Sequence, residues 1–173
     1  MFELNEYVLH NLYGVLQVID FEDIVFNGVE QKYYVLQSPF SMNLTSKIKI
    51  PVSKSELLCE LPKKEKIDEL IKSMSKVKPI WIAESKNRIH VYETIFLESD
   101  VIKLCAYLKA LRSHKDEIKL TIKDREFMKR AEQIIYGIFA IGLGIEYADV
   151  PNYLENEVLN SNISWFPEID NNF

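Results

Sequence analysis

Cysteine is scarce in this 173-residue chain: Cys59 and Cys105 lie 46 positions apart, with no CxxC and only three histidines, His10, His90 and His114. That excludes a disulfide framework and the ligand spacing of a zinc site, and both thiols are expected to be reduced and packed. No window approaches the roughly 18 consecutive apolar residues of a membrane span, so no membrane partner is expected. The opening Met1-Phe-Glu-Leu-Asn-Glu6 has neither the cationic start nor the apolar stretch of a secretory signal, so a cytoplasmic protein is expected. GxSxG, P-loop, GxGxxG and HExxH motifs are all missing, and no histidine stands beside a plausible nucleophile and orienter. The expectation is a protein that is not an enzyme and needs no cofactor or metal. No internal repeat or low-complexity tract is visible. What remains, 47% apolar and 27% charged, is the composition of an ordinary globular protein of one or two domains.

Charge is distributed unevenly. Residues 1–85 carry a net −2, residues 86–130 a net +4 and residues 131–173 a net −7, with no lysine or arginine in the last stretch. The overall −5 argues against a protein that coats nucleic acid by bulk charge. A contact with phosphates is expected only in the middle.

From Glu6 to Pro51 the chain reads as short strands. Candidates are Tyr7 to Leu9, Val15 to Ile19, Asp23 to Phe26, Gln31 to Leu36 and Leu44 to Ile50, each rich in β-branched and aromatic residues. Asn27-Gly28 is a two-residue hairpin signal, because a type I′ turn needs positive φ at both central positions. Gly14 and Ser38-Pro39 mark further bends. Four or five antiparallel strands in so short a stretch cannot build a large sandwich, and a small SH3-like or Tudor-like barrel is the economical fold.

After Pro51 the apolar period becomes helical. Ile67, Leu70, Ile71 and Met74 place a helix over 63–77, with Leu58 to Pro62 as the connection into it. A second helix is expected over 79–97 with Pro79 in its first turn, and a third over 100–113 capped by Ser99 or Asp100. The longest runs from Thr121 to about Leu143. Thr121-Ile-Lys-Asp124 is a capping-box variant, and Phe127, Ala131, Ile134, Ile135, Ile138 and Gly142 share one arc, with Lys123, Arg125, Lys129 and Arg130 outside it. A short helix over 152–159 and a frayed, Asn-rich end complete the order. The fold class is therefore α+β, a small N-terminal barrel followed by an all-α helical domain. The domains expected are 1–56, 57–160 and an acidic, Asn-rich tail at 161–173.

A few residues invite a functional reading. His10 reads either as polar turn chemistry or as a buried, hydrogen-bonded histidine. Lys63-Lys-Glu-Lys66 reads as a solvated helix start. The alternation Ile48-Lys49-Ile50 before Pro51 has the look of an edge strand, with one basic side chain outward and a final residue that donates no ladder bond. Such an edge can pair with a strand of another protein or stand as a plain barrel edge. Trp81, beside Pro79-Ile80, reads as a core or lid residue by its size and as a functional one by its basic sequel, Lys86 and Arg88.

These elements in this order resemble the CarD/CdnL family of bacterial RNA polymerase-binding transcription regulators, from about Phe2 to Val158. Glu6-Tyr-Val-Leu-His10 with Tyr13-Gly-Val15 is similar to that family's opening "G-D-x-V-V-H-x-x-x-G-V", Gln31 to Leu36 to its third strand, and Ile48-Lys-Ile-Pro51 to its "V-R-V-P" strand. Arg88, Leu97 to Lys103, and Leu120 to Ala131 resemble the later blocks, the last of them "L-S-x-x-E-K-x-M-L-x-x-A". The resemblance implies a barrel that docks on the β subunit of RNA polymerase by edge-strand pairing, through Ile48, Lys49, Ile50 and Pro51. It also implies a helical domain on promoter DNA at the upstream edge of the bubble, with Arg88, Arg125 and Arg130 on phosphates. Trp81 would then be the minor-groove wedge that prolongs the open complex without reading bases. The protein would act as a monomer, associated with polymerase at the nucleoid.

The sequence also departs from that pattern. The position matching the family's wedge is Ser85, and Trp81 lies one helical turn earlier, where a helix extended at its start would keep the same facing. Asn87 and His90 stand where the family prefers basic side chains, and Glu22 where a basic docking residue can occur. These departures sustain an alternative, an adaptor that docks on polymerase and recruits a protein without touching DNA.

Overall fold

The computed structural model describes residues 1–40, 46–115 and 119–159. The chain divides into two compact units, Met1–Leu61 and a second that begins at Pro62. The Asn-rich end at 160–173 and the start of the strand expected from Leu44 lie outside the described residues.

The first unit is an antiparallel sheet of β1 (Tyr7–His10), β2 (Gly14–Phe26), β3 (Val29–Gln37), β4 (Ile48–Pro51) and β5 (Leu58–Glu60), in the order β4-β3-β2-β1-β5. Asn27 and Gly28 sit at φ 52° and 76°, so the β2–β3 hairpin closes through the primed turn expected of that dipeptide. One continuous β2 replaces the two strands expected over 15–26. Its register against β3 shifts between Val18 and Asp20, and this bulge carries the ladder past a polar stretch that looks like a break in the sequence. The segment Leu58–Glu60, expected to be a connection, is a strand paired with β1, Leu9 opposite Cys59. Three residues are too few for a periodicity signal, and this strand exists because β1 supplies its ladder. Alternate strand positions then gather Val8, Leu16, Val18, Tyr34, Leu36, Ile50 and Leu58 into one apolar cluster, flanked by Phe2, Phe21, Ile48 and Val52. β4 and β5 form the two edges, and no ladder joins them among the described residues. The unit is thus an open sheet where a closed barrel was expected.

His10 combines both of its sequence readings. It is buried at the end of β1, its Nδ1 accepts a hydrogen bond from Leu12 N at 2.9 Å, and its ring lies 4.9 Å from that of Tyr13.

The second unit contains α1 (Lys64–Lys76), α2 (Ser85–Glu98), α3 (Val101–His114), α4 (Ile122–Leu143) and α5 (Val150–Leu159). α1 buries Ile67, Ile71 and Met74 of its apolar period and leaves Leu70 half-buried, and α4 buries Phe127, Ala131, Ile134, Ile135 and Ile138. Asp100 caps α3 by accepting from Ile102 N and Lys103 N. Thr121 and Asp124 cap α4 reciprocally, the box foreseen in the sequence with Asp serving for Glu. No single helix among the described residues is long and apolar enough to cross a membrane.

One helix boundary departs from the sequence reading. The chain from Val77 to Glu84 is not helical, and α2 starts at Ser85 rather than at Pro79. Tertiary hydrogen bonds hold this segment open: Ile80 N donates to Ala106 O on α3, and the carbonyls of Ile82 and Ala83 accept from the Arg88 guanidinium. Trp81 is therefore on a non-helical segment, and the one-turn helical displacement expected for it does not apply.

Candidate functional site

Two surfaces hold the residues singled out in the sequence. On the first unit, β4 pairs only with β3 among the described residues, Leu36 opposite Ile48 and Val35 opposite Lys49, which leaves its other side as a sheet edge. Strand alternation sends Ile50 into the core, where it is 5% exposed, and Lys49 to the other face, where it is exposed. Pro51 ends the strand without an N–H to offer. Lys49 Nζ reaches diagonally over β3 to Glu22 Oε2 on β2, at 2.5 Å. Both side chains are about 40% exposed, so the pair is worth at most about 1 kcal/mol and opens readily. A strand added to β4 would gain main-chain hydrogen bonds and meet one cation and one carboxylate beside them.

On the second unit, the structure treats the four expected DNA-contact residues very differently. Arg88 is 4% exposed and tied inside. Its Nε and Nη2 donate to the two oxygens of Asp124 at 3.0 and 2.9 Å, and its Nη1 donates to Ile82 O and Ala83 O. Asp124 also accepts from Tyr92 Oη at 2.6 Å and from Thr121 N and Oγ1. Burial alone would push the Asp124 carboxyl up, but the hydrogen bonds from Arg88, Tyr92 and Thr121 together outweigh it and hold the group well below the usual carboxylate range. The hydrogen bond to Asp124 in turn raises Arg88, and desolvation followed by the same carboxylate raises Tyr92. This cluster fixes the start of α2 to the start of α4, so the Arg88 guanidinium faces Asp124 where a phosphate was expected.

Trp81 is half-buried. Its ring stacks on His114 at 4.0 Å with 5° between planes, and the Arg88 guanidinium carbon lies 4.8 Å from it on a cation–π contact. Ser85, the position matching the family wedge, is the first residue of α2 and half-buried. Arg130 is also half-buried, its guanidinium carbon 3.9 Å from the Phe96 ring. Arg125 alone of the four is exposed, with Nη1 donating to Leu120 O at 2.9 Å.

Sequence reasoning passed over three features here. Ile122, at the first turn of α4, is 68% exposed, with Lys123, Arg125 and Lys129 exposed on the same helix. An apolar residue outside the helix's apolar arc was the available signal. Lys109 is buried and donates to Met74 O, Ser75 O and Val77 O at the end of α1. Its neighbours are some 30 positions away in sequence, and nothing local announces them. The Arg88–Asp124 pairing, 36 positions apart, was equally silent. Among the described residues no three His, Cys, Asp or Glu side chains come together as a metal site. Cys59 is exposed on β5 and Cys105 buried in α3.

Residues 2–61, essentially the whole first unit, match the CarD-like/TRCF RID domain family. This is a domain of RNA polymerase-interacting, transcription-related proteins, and the match agrees with the family resemblance read from the sequence. No curated protein matches the chain.

Proposed function

With its first unit a CarD-like/TRCF RID domain, we propose that the protein is a non-enzymatic transcription regulator that docks on the β subunit of RNA polymerase and prolongs the open promoter complex. The observation that carries the docking half is the position of β4: the strand similar to "V-R-V-P" is the sheet edge, with Lys49 outward and Ile50 in the core. Edge pairing supplies affinity through the main chain, and Lys49 with Glu22 sets which charges the partner strand must offer. The helical unit then meets promoter DNA through cations of the basic middle of the chain, Arg125 foremost, without reading base sequence. Such a regulator works as a monomer in the cytoplasm, wherever polymerase is engaged at promoters.

A specific observation favours the second reading, an adaptor without DNA contact. Arg88 is inside the helical unit, and Trp81 stacks on His114 and makes a cation–π contact with Arg88, so two of the four expected DNA contacts are already engaged within the protein. Salt separates the two readings. Phosphate contacts make promoter association fall by a log–log slope of about 0.9 for each phosphate neutralised, and an adaptor has almost no slope beyond that of polymerase itself. Co-purification with core polymerase, lost in Lys49→Glu and retained in Arg125→Ala, tests the docking half. Equal recovery of wild type and Lys49→Glu would remove the Lys49 side chain from the interface.

A further inference from the structure

β4 and β5 bound the sheet, but β2 is also open along half of its own length. Its ladder with β1 runs from Gly14 to Gln17, and the N-terminal segment covers Val18, which accepts from Asn5 N at 2.7 Å and donates to Glu6 O at 2.9 Å. β3 stays paired with β2 as far as Phe26. From Asp20 onward, therefore, one side of β2 is laddered and the other has no backbone partner among the described residues. The register shift between Val18 and Asp20 falls at the same place, and a bulge there turns the outer hairpin out of line with β1. The β3 side of this hairpin is flanked by the 3-10 helix Val52–Leu57, where Ser53 Oγ accepts from Gln31 Nε2 at 2.6 Å. The β2 side is left as about 20 Å of unpaired main chain, longer than β4 or β5.

The side chains along this stretch decide what fits it. Its charged residues, Asp20, Glu22 and Asp23, are all acids, and Asp20 and Asp23 are exposed. The cations beside them, Lys32 opposite Asp23 and Lys49 against Glu22, stand on β3 and β4, on the far side of β2 from the open edge. Charges of one sign protect an edge from pairing with a copy of itself, because like charges would meet across the new ladder. The same charges favour a strand of opposite sign. Ile24, half-buried, and Val25, 66% exposed, follow the acids and offer apolar neighbours. We propose that the outer half of β2 is a second strand-addition site, separate from β4, which takes an extended peptide segment with lysine or arginine opposite Asp20 and Asp23 and apolar residues opposite Ile24 and Val25. Main-chain hydrogen bonds supply the affinity, and the acids select a basic partner over a second copy of this chain. The site is independent of the polymerase reading, because β4 lies beyond β3 on the other side of β2.

The test is amide hydrogen exchange, read by NMR on the full chain, with three short synthetic peptides. One alternates lysine and valine, one is the same peptide with proline at every second valine, and one alternates glutamate and valine. The lysine–valine peptide should slow exchange within residues 20–26 and leave 48–51 unchanged. The proline peptide keeps the charge but loses the ladder and should give no protection. In the double variant Asp20→Asn, Asp23→Asn, which keeps the side-chain oxygen that accepts from Phe21 N, the lysine–valine peptide should bind roughly five-fold more weakly. Both residues are exposed, so an unchanged melting temperature verifies the fold of that variant. Equal protection by the proline peptide overturns strand addition, and equal protection by the glutamate peptide overturns the basic partner. Protection at 48–51 instead moves the peptide to β4, and protection of 20–26 that grows with protein concentration alone makes a second copy the occupant; either result overturns the proposal. So does the absence of protection with all three peptides.

Discussion

Asp124 ties three parts of the helical unit together. Its five donors come from Arg88, Tyr92 and Thr121, so one carboxylate joins α2, the cap of α4 and, through Arg88, the carbonyls of 82 and 83. Removing one partner leaves the other charge buried and unmatched. Arg88→Ala should therefore destabilise the protein by about 3–5 kcal/mol, far beyond the effect of truncating exposed Arg125, as measured by urea denaturation. Asp124→Asn tests the same link by pH. A carboxyl depressed in the folded state contributes stability that is fully present above its unfolded pKa, near 4, and is lost as pH falls through the folded one. Wild type should lose stability progressively in acid below that value, and Asp124→Asn, less stable at neutral pH, should show a flatter acid limb. Equal slopes would detach Asp124 from acid sensitivity.

At the scale of elements, α1 and α4 cross so closely that Gly142 has no room for a side chain. A Cβ there would stand 2.6 Å from Ile67 Cδ1 and 2.7 Å from Cγ1, and Ile67 is fully buried. Alanine in a helix gains up to about 1 kcal/mol over glycine, whereas overpacking costs about 1–3 kcal/mol. The crowding wins, so Gly142→Ala is expected to lower the melting temperature and Gly142→Val to lower it further. A rise in Gly142→Ala would show that Ile67 yields. Elements of this kind were legible from the sequence where their cause is local. The Asn27-Gly28 turn, the Thr121–Asp124 box and the apolar arc of α4 follow from residues within a few positions of each other. β5 and the segment Val77 to Glu84 were not legible, because the first is a strand only beside β1, and the second is held out of helix by Ala106 and Arg88. The same rule sorts the candidate site. The edge character of β4 follows from its alternation and Pro51, and the structure places it at the sheet edge. The fates of Arg88 and Trp81 were decided by Asp124 and His114, residues more than 30 positions away.

At the scale of the whole molecule, the proposed docking falls to the first unit and the proposed bubble stabilisation to the second. The net +4 of residues 86–130 belongs to the helical unit, yet the burial of Arg88 and Arg130's position over Phe96 leave fewer cations on its surface than that figure suggests. The proposed DNA contact would therefore be a light one that depends on polymerase docking for its effective concentration. Free protein should bind promoter DNA weakly in a fluorescence-anisotropy titration, with affinity collapsing at physiological salt, whereas the polymerase-bound protein should still act there. Tight binding of free protein at physiological salt would argue that docking is dispensable.

The most direct test is the half-life of heparin-challenged open complexes with no added protein, with wild type and with Lys49→Glu, over a series of salt concentrations. The expected result is a longer half-life with wild type, an extension that shrinks as salt rises, and none with Lys49→Glu at protein concentrations that saturate wild type. Half-lives that are the same in all three samples at every salt concentration would contradict it.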